Sequence, residues 1–269
     1  MKSQSFAAAL LYLLGGSMIV SSAAAAEIYS NGPFVTNPGA HVSGADVSLA
    51  QDVTYPGYNA LGFNAGPGYR LADDFIVPAN HFWTIDSAVL YAYQTGTGDA
   101  DFTDVRLIIW QGPPDGFNSI KKFDGSVSNN LVSSTPGAYR TAQSFGATQF
   151  SDDQRRIKSL LVAIPELELG PGQYWMDWQL KGPMPTDHVF TPPVSILGQA
   201  YTSFGGFARR KCPAGTTDPQ DPCTISGPGW FLFENGSSPN LVDLPFKING
   251  TDVANLIFAN GFEALPATP

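Results

Sequence analysis

The chain has 269 residues, with 23 Asp and Glu against 14 Lys and Arg, and a formal net charge of −9. Phosphate backbones are held by concentrated Lys and Arg, and the sole basic cluster is ARRKC at 208–212, so nucleic acid is excluded as a partner. The acidity suits solubility outside a cell and specifies no ligand.

The N-terminus reads as a secretion signal over residues 1–26. Lys2 gives the positive start, FAAALLYLLGGSMIV the apolar stretch and SSAAAAE the small-residue cleavage region, with cleavage after Ala26. The apolar run is short and holds Gly15 and Gly16, which argues against a permanent anchor. Membrane contact is therefore expected only in transit, and the mature chain in the periplasm or outside the cell.

Residues 27–66 are rich in Asn, Gly and Pro and read as an irregular segment packed on the domain that follows. Strand patterns then recur in GYRLADDFIV (68–77), FWTIDSAVLYAYQT (82–95), TDVRLIIWQG (103–112), IKSLLVAI (157–164), GQYWMDWQL (172–180), GWFLFENG (229–236) and LPFKING (244–250). Turn formers such as GPPDG, GPG and NGSSPN separate them. The nearest approach to a helical period is SDDQRRIKSLLVAI (151–164). The pattern predicts an all-β fold, an antiparallel sandwich over 67–250 with Greek-key or jelly-roll connections, and a tail from 251 to 269.

Four of these stretches, YRLADDFIVP, WTIDSAVLYAYQTG, VRLIIWQGPP and LGPGQYWMDWQ, resemble a family of exported bacterial proteins. That family shares the order ADDF-x-V, W-x-I, YQTG, IWxGPP and GxYWxDWQ, and the likeness spans roughly residues 67–200. The resemblance implies an exported β-sandwich and assigns no reaction. Separately, LIFANGFE (256–263) resembles the ending of many secreted proteins of Gram-negative bacteria, which implies a sorting or processing tag.

Cys212 and Cys223 are the two cysteines. In an exported chain they are expected to pair, because their spacing matches no zinc pattern and no His is adjacent. The bridge would close a Pro-rich loop and stabilise the fold by about 3 kcal/mol in the loop-entropy account.

Adjacent acids in YRLADDFIVP point to opposite faces of a strand. Asp73 falls with Leu71, Phe75 and Val77 on the apolar side. A carboxylate there needs partners, namely backbone N–H groups, a Tyr hydroxyl or a cation, and Arg106, on a strand face with Ile108 and Trp110, is the cation expected. Asp74 falls on the mixed face with Arg70 and Ile76.

No G-x-S-x-G elbow, H-E-x-x-H or P-loop is present. His41, His81 and His188 stand at unrelated spacings, and no serine is singled out as a nucleophile. Asp177, between Trp175 and Trp178, is the best candidate for a glycosidase acid, though a hydrogen-bonded strand residue is the preferred reading. Trp175, Asp177 and Gln179 share a mixed strand face and are the candidate ligand-binding residues. Asp99, Asp101 and Asp104 lie in one loop and form a calcium candidate lacking the EF-hand glycine and glutamate. A solvated acidic loop is preferred, and no metal or other cofactor is expected. Asn-Gly in NGS (235–237) and NGT (249–251) reads as turn corners.

The function expected is that of a secreted, non-enzymatic binding or structural module. A polysaccharide or cell-surface component is the candidate partner. The alternative is a carbohydrate-active protein, either a sugar-binding module or a glycosidase using Asp177.

Overall fold

A computed structural model of the chain describes residues 26–51, 61–186, 188–199, 207–217, 222–232 and 242–254. Residues 1–25 of the expected secretion signal, the NGS at 235–237 and the LIFANGFE ending lie outside them. In chain order the strands are β1 (Ala26–Ser30), β2 (Val47–Ala50), β3 (Phe63–Asn64), β4 (Arg70–Val77), β5 (His81–Ala92), β6 (Asp104–Gln111), β7 (Ile120–Asp124), β8 (Leu131–Ala142), β9 (Arg156–Leu169), β10 (Gly172–Lys181), β11 (Phe190–Thr191), β12 (Arg209–Cys212), β13 (Gly229–Leu232) and β14 (Phe246–Ala254). A 3-10 turn covers Gln143–Thr148, and a short helix α1 covers Pro222–Ser226.

Two six-stranded sheets form an antiparallel β-sandwich. The first runs β1-β14-β5-β9-β8-β2 and the second β13-β12-β4-β10-β6-β7, with β11 and β3 as a small ribbon beside them. Neighbours are antiparallel except β2 with β8. The chain changes sheet between β4 and β5, between β5 and β6, and between β7 and β8. It changes again through Gly170-Pro171, so that turn joins the two layers and does not close a hairpin within one sheet.

Alternation explains the core. Leu71, Phe75 and Val77 on β4 and Met176 and Trp178 on β10 point inward, against Leu90 on β5 and Leu160 and Val162 on β9. One end is aromatic: Phe75 stacks on Trp83 at 6.0 Å and on Tyr174 at 5.6 Å, with Tyr29 and Phe246 against them. Such pairs add about 0.5–1.5 kcal/mol each beyond area burial.

The inward set on β5 switches from Trp83 and Ile85 to Ala88, Leu90 and Ala92. Asp86 is the extra residue that causes this. On β14, Asn249 pairs with Ser87 and Gly250 with Ile85, so Asp86 bulges out of the ladder. The same register corrects the expected turn at NGT (249–251), which lies within β14. A Cβ on Gly250 would run into the backbone of Thr84, so the close approach there requires glycine.

Two expected boundaries also change. Within 27–66, β1 and β2 form the two edges of the first sheet, and β14 carries the sandwich four residues beyond 250. Cys212 and Cys223 form a disulfide, packed with Tyr69 and Phe231.

Candidate functional site

Asp73 lies on the inward face of β4 and is fully buried. Its carboxylate accepts hydrogen bonds from the Asn31 side chain at 2.8 Å, the Leu244 N–H at 2.6 Å and the Asp74 N–H at 3.0 Å. Tyr29 in turn donates its hydroxyl to Asn31 at 2.8 Å and sets the amide's orientation. Burial pushes the Asp73 carboxyl well above the usual carboxylate range, and the nearby charge of Asp243 pushes the same way. The expected cation is elsewhere. Arg106 pairs across the sheet with Gln179 on the outward face, where it bonds Asp104 at 2.9 Å and the Ser126 carbonyl at 3.2 Å. The parity of β6 explains this: Val105, Leu107 and Ile109 are the residues that turn inward. Asp74 faces outward and accepts from Gln173 at 2.7 Å.

Asp177 sits at the middle of the outward face of β10, yet its residue is 1% exposed. Long side chains from both neighbouring strands cover it. Arg70 on β4 donates Nε to Oδ1 at 2.6 Å, and Trp110 on β6 donates Nε1 to Oδ2 at 3.0 Å. The guanidinium also reaches the Arg106 carbonyl at 3.3 Å, spanning β10. Burial raises the Asp177 carboxyl, and the charge of Arg70 and the Trp110 hydrogen bond pull against it. Both carboxylate oxygens are therefore engaged by the sheet's own side chains. Trp175 is also buried, while Gln179 is half-buried and donates to the Tyr69 carbonyl at 2.9 Å. Sequence reasoning expected this face to meet solvent or ligand. Arg70 and Trp110 close it instead.

The acidic loop meets cations rather than gathering its own acids around one point. Asp99 faces Arg156 at 3.4 Å and Lys158 at 3.7 Å, and Asp104 pairs with Arg106. Among the described residues no group of three or more His, Cys, Asp or Glu is placed to hold a metal ion. The histidines stay apart: His41 bonds Ser43 at 2.7 Å, His81 bonds Asp252 at 2.9 Å, and His188 stacks on Phe190.

A cleft of about 640 Å³ opens where the chain leaves β1 through Asn31-Gly32-Pro33. Gly32, at φ 85, allows that bend. Phe34 and Tyr91 form an aromatic wall, with ring centroids 4.3 Å apart, and Ser30 and Lys247 supply polar groups, while the Asn31 side chain at the cleft's edge is taken up by Tyr29, Asp73 and Leu244. Lys247 is tied to Glu27 at 2.7 Å. Sequence reasoning did not single out these residues. The Asn-Gly-Pro-Phe turn was their one local signal, because Tyr91 and Lys247 reach the cleft only through the pairing of β14 with β5.

Comparison of the chain with family models and with curated proteins found no match.

Proposed function

We propose that the chain is an exported, non-enzymatic binding module built on this β-sandwich. The observation that carries the reading is the state of Asp177: the acid best suited to catalysis has both oxygens bonded within a closed face. A glycosidase needs two carboxylates addressing one bond, one as acid and one as base or nucleophile. The charged groups that act on Asp177 are cations, Arg70 first and Lys211 more weakly. The disulfide and the signal-like N-terminus support export.

Within this reading the ligand is a polysaccharide or cell-surface glycan, and the cleft beside β1 is its site. Aromatic faces with polar groups at their edges suit sugar rings, and Phe34 and Tyr91 with Ser30 and Lys247 beside them offer that combination. The test is a glycan-array and polysaccharide pull-down with the purified mature chain, repeated with Tyr91→Ala. Binding that is lost in the variant supports the reading. Turnover of a glycan, or binding untouched by Tyr91→Ala, contradicts it. Intact mass of the exported protein tests processing, and a mass retaining residues 1–26 would count against it.

A further inference from the structure

The core-facing row of β9 runs Ile164, Val162, Leu160 and then continues into Lys158 and Arg156. Cations thus replace apolar residues at one end of the sandwich. Lys158 is 1% exposed, and its ammonium has no hydrogen-bond partner. The Nε and Nη1 of Arg156 are likewise buried without partners. A buried ammonium without hydrogen bonds is costly, and a guanidinium presents a fork of donors that matches an oxyanion.

The counter-charge is Asp99, in the turn TGTGDA that folds over this end, with Gly96 N–H bonded to the Gln154 carbonyl at 2.7 Å. Asp99 Oδ1 stands 3.4 Å from Arg156 Nε and 3.7 Å from Lys158 Nζ. Charge-assisted hydrogen bonds are about 2.7–2.9 Å long, so this carboxylate lies between the cations as a long ion pair to each, short of a full-strength hydrogen bond to either. The Asp99 side chain is 69% exposed, and Asp101 adds a second negative charge that acts on Lys158 more weakly. The Arg156 guanidinium also lies over the Tyr139 ring, 4.3 Å from its centroid. His41 stacks on that same ring at 4.0 Å, and its Nε2 is also buried without a partner. The adjacent Arg155 is not part of the set, because it pairs with Asp152 at 2.7 Å.

We propose that Arg156 and Lys158 form a binding site for a small oxyanion, the phosphate, sulfate or sugar-carboxylate class, and that Asp99 is the internal group such an anion displaces. One anion oxygen near the position of Asp99 Oδ1 would lie within reach of both cations. The anion's further oxygens would complete the hydrogen bonds that the single exposed carboxylate of Asp99 leaves unmade. Asp99 then acts as a competitor, which sets the affinity of the site rather than building it.

The test uses the mature chain in titration calorimetry and thermal melts with phosphate, sulfate and glucuronate, each against sodium chloride at matched ionic strength. At least one oxyanion is expected to bind saturably, with a melting temperature that follows its occupancy. Response to the inorganic ions identifies a free anion as the natural ligand class, and response to glucuronate alone identifies an acidic sugar. Lys158→Met should abolish binding, and Asp99→Asn should strengthen it several-fold. Should Lys158→Met fail to fold, Asp99→Asn on the exposed loop decides the matter. No saturable binding by any of the three anions, or binding weakened or unchanged in Asp99→Asn, overturns the proposal.

Discussion

Asn31 and Asp73 are 42 positions apart in the chain and meet in the interior, where the Asn31 amide donates to the Asp73 carboxylate at 2.8 Å. The same amide also donates to the Leu244 carbonyl at 3.0 Å, and the Leu244 N–H donates back to Asp73. One carboxylate therefore joins the end of β1, the middle of β4 and the approach to β14. These segments belong to different sheets, so the contact fastens the two layers together. The acid pair in ADDF is divided accordingly: Asp73 holds the frame, and Asp74 lies at its outer surface.

Stability should depend on pH through Asp73 in a direction opposite to the usual one for a carboxylate. Its pKa is raised in the folded chain. Well below about pH 4, the ordinary aspartate value, the group is protonated in both states. As pH rises, the unfolded chain ionises first and binds fewer protons than the folded one, so stability falls until the folded pKa is passed. Asp74 and Asp177 shift the same way, each through burial. His41, lowered by burial, opposes them as pH drops through the histidine range. Comparison with Asp73→Asn isolates the one group. Urea melts between pH 4 and 8 should show the wild type losing stability relative to the variant as pH rises. A flat difference would contradict the burial of an ionisable Asp73.

Arg70 and Asp177 form a pair whose halves are worth little alone. Removing the cation in Arg70→Ala leaves a buried carboxylate with only Trp110, and should cost about 3–5 kcal/mol. Replacing both together, Arg70→Met with Asp177→Leu, should recover most of that loss, because well-packed apolar side chains often match a buried ion pair. Denaturant midpoints read both effects. A loss below about 1 kcal/mol for Arg70→Ala, the range of ordinary surface substitutions, would show that the guanidinium does not cover the acid.

Reduction of Cys212–Cys223 should lower stability by about 3 kcal/mol in the loop-entropy account. Native protein denatured without reductant should show no titratable thiol. Two thiols would refute the bridge.

The sequence made the inner strands legible for a simple reason. Residues 70–77, 104–111 and 172–181 alternate on a period of two, because one face is packed against the opposite layer and the other is not. Strand β8 was missed. Its sequence LVSSTPGAYRTA carries Pro136 and Gly137 at a register shift, and only its last residues are buried. The RRKC of β12 stood out only as a basic cluster and was not read as a strand, yet Arg209 and Lys211 face outward beside Ala72 and Arg70 on β4. Parity along β6 placed Arg106 with Ile108 and Trp110 correctly, but parity does not say which face looks inward. That depends on the register of β10 between β4 and β6, in which Met176 sits opposite both Asp73 and Ile109. Cross-strand register is long-range information, and so Asn31 as the true partner of Asp73 was invisible at a separation of 42 residues.

The most direct measurement is a double-mutant cycle on Asn31→Ala and Asp73→Ala in urea, with Asp74→Ala as the surface control. Asp73→Ala should destabilise by about 2–5 kcal/mol, since it leaves a buried N–H and a buried amide unpaired, and Asp74→Ala by less than about 1 kcal/mol. The two interior substitutions should couple by about 1–3 kcal/mol, as residues in one hydrogen-bond network do. Effects that add to within about 0.5 kcal/mol, or an Asp73→Ala loss no larger than that of Asp74→Ala, would contradict the claim that the first acid of ADDF holds the sandwich together.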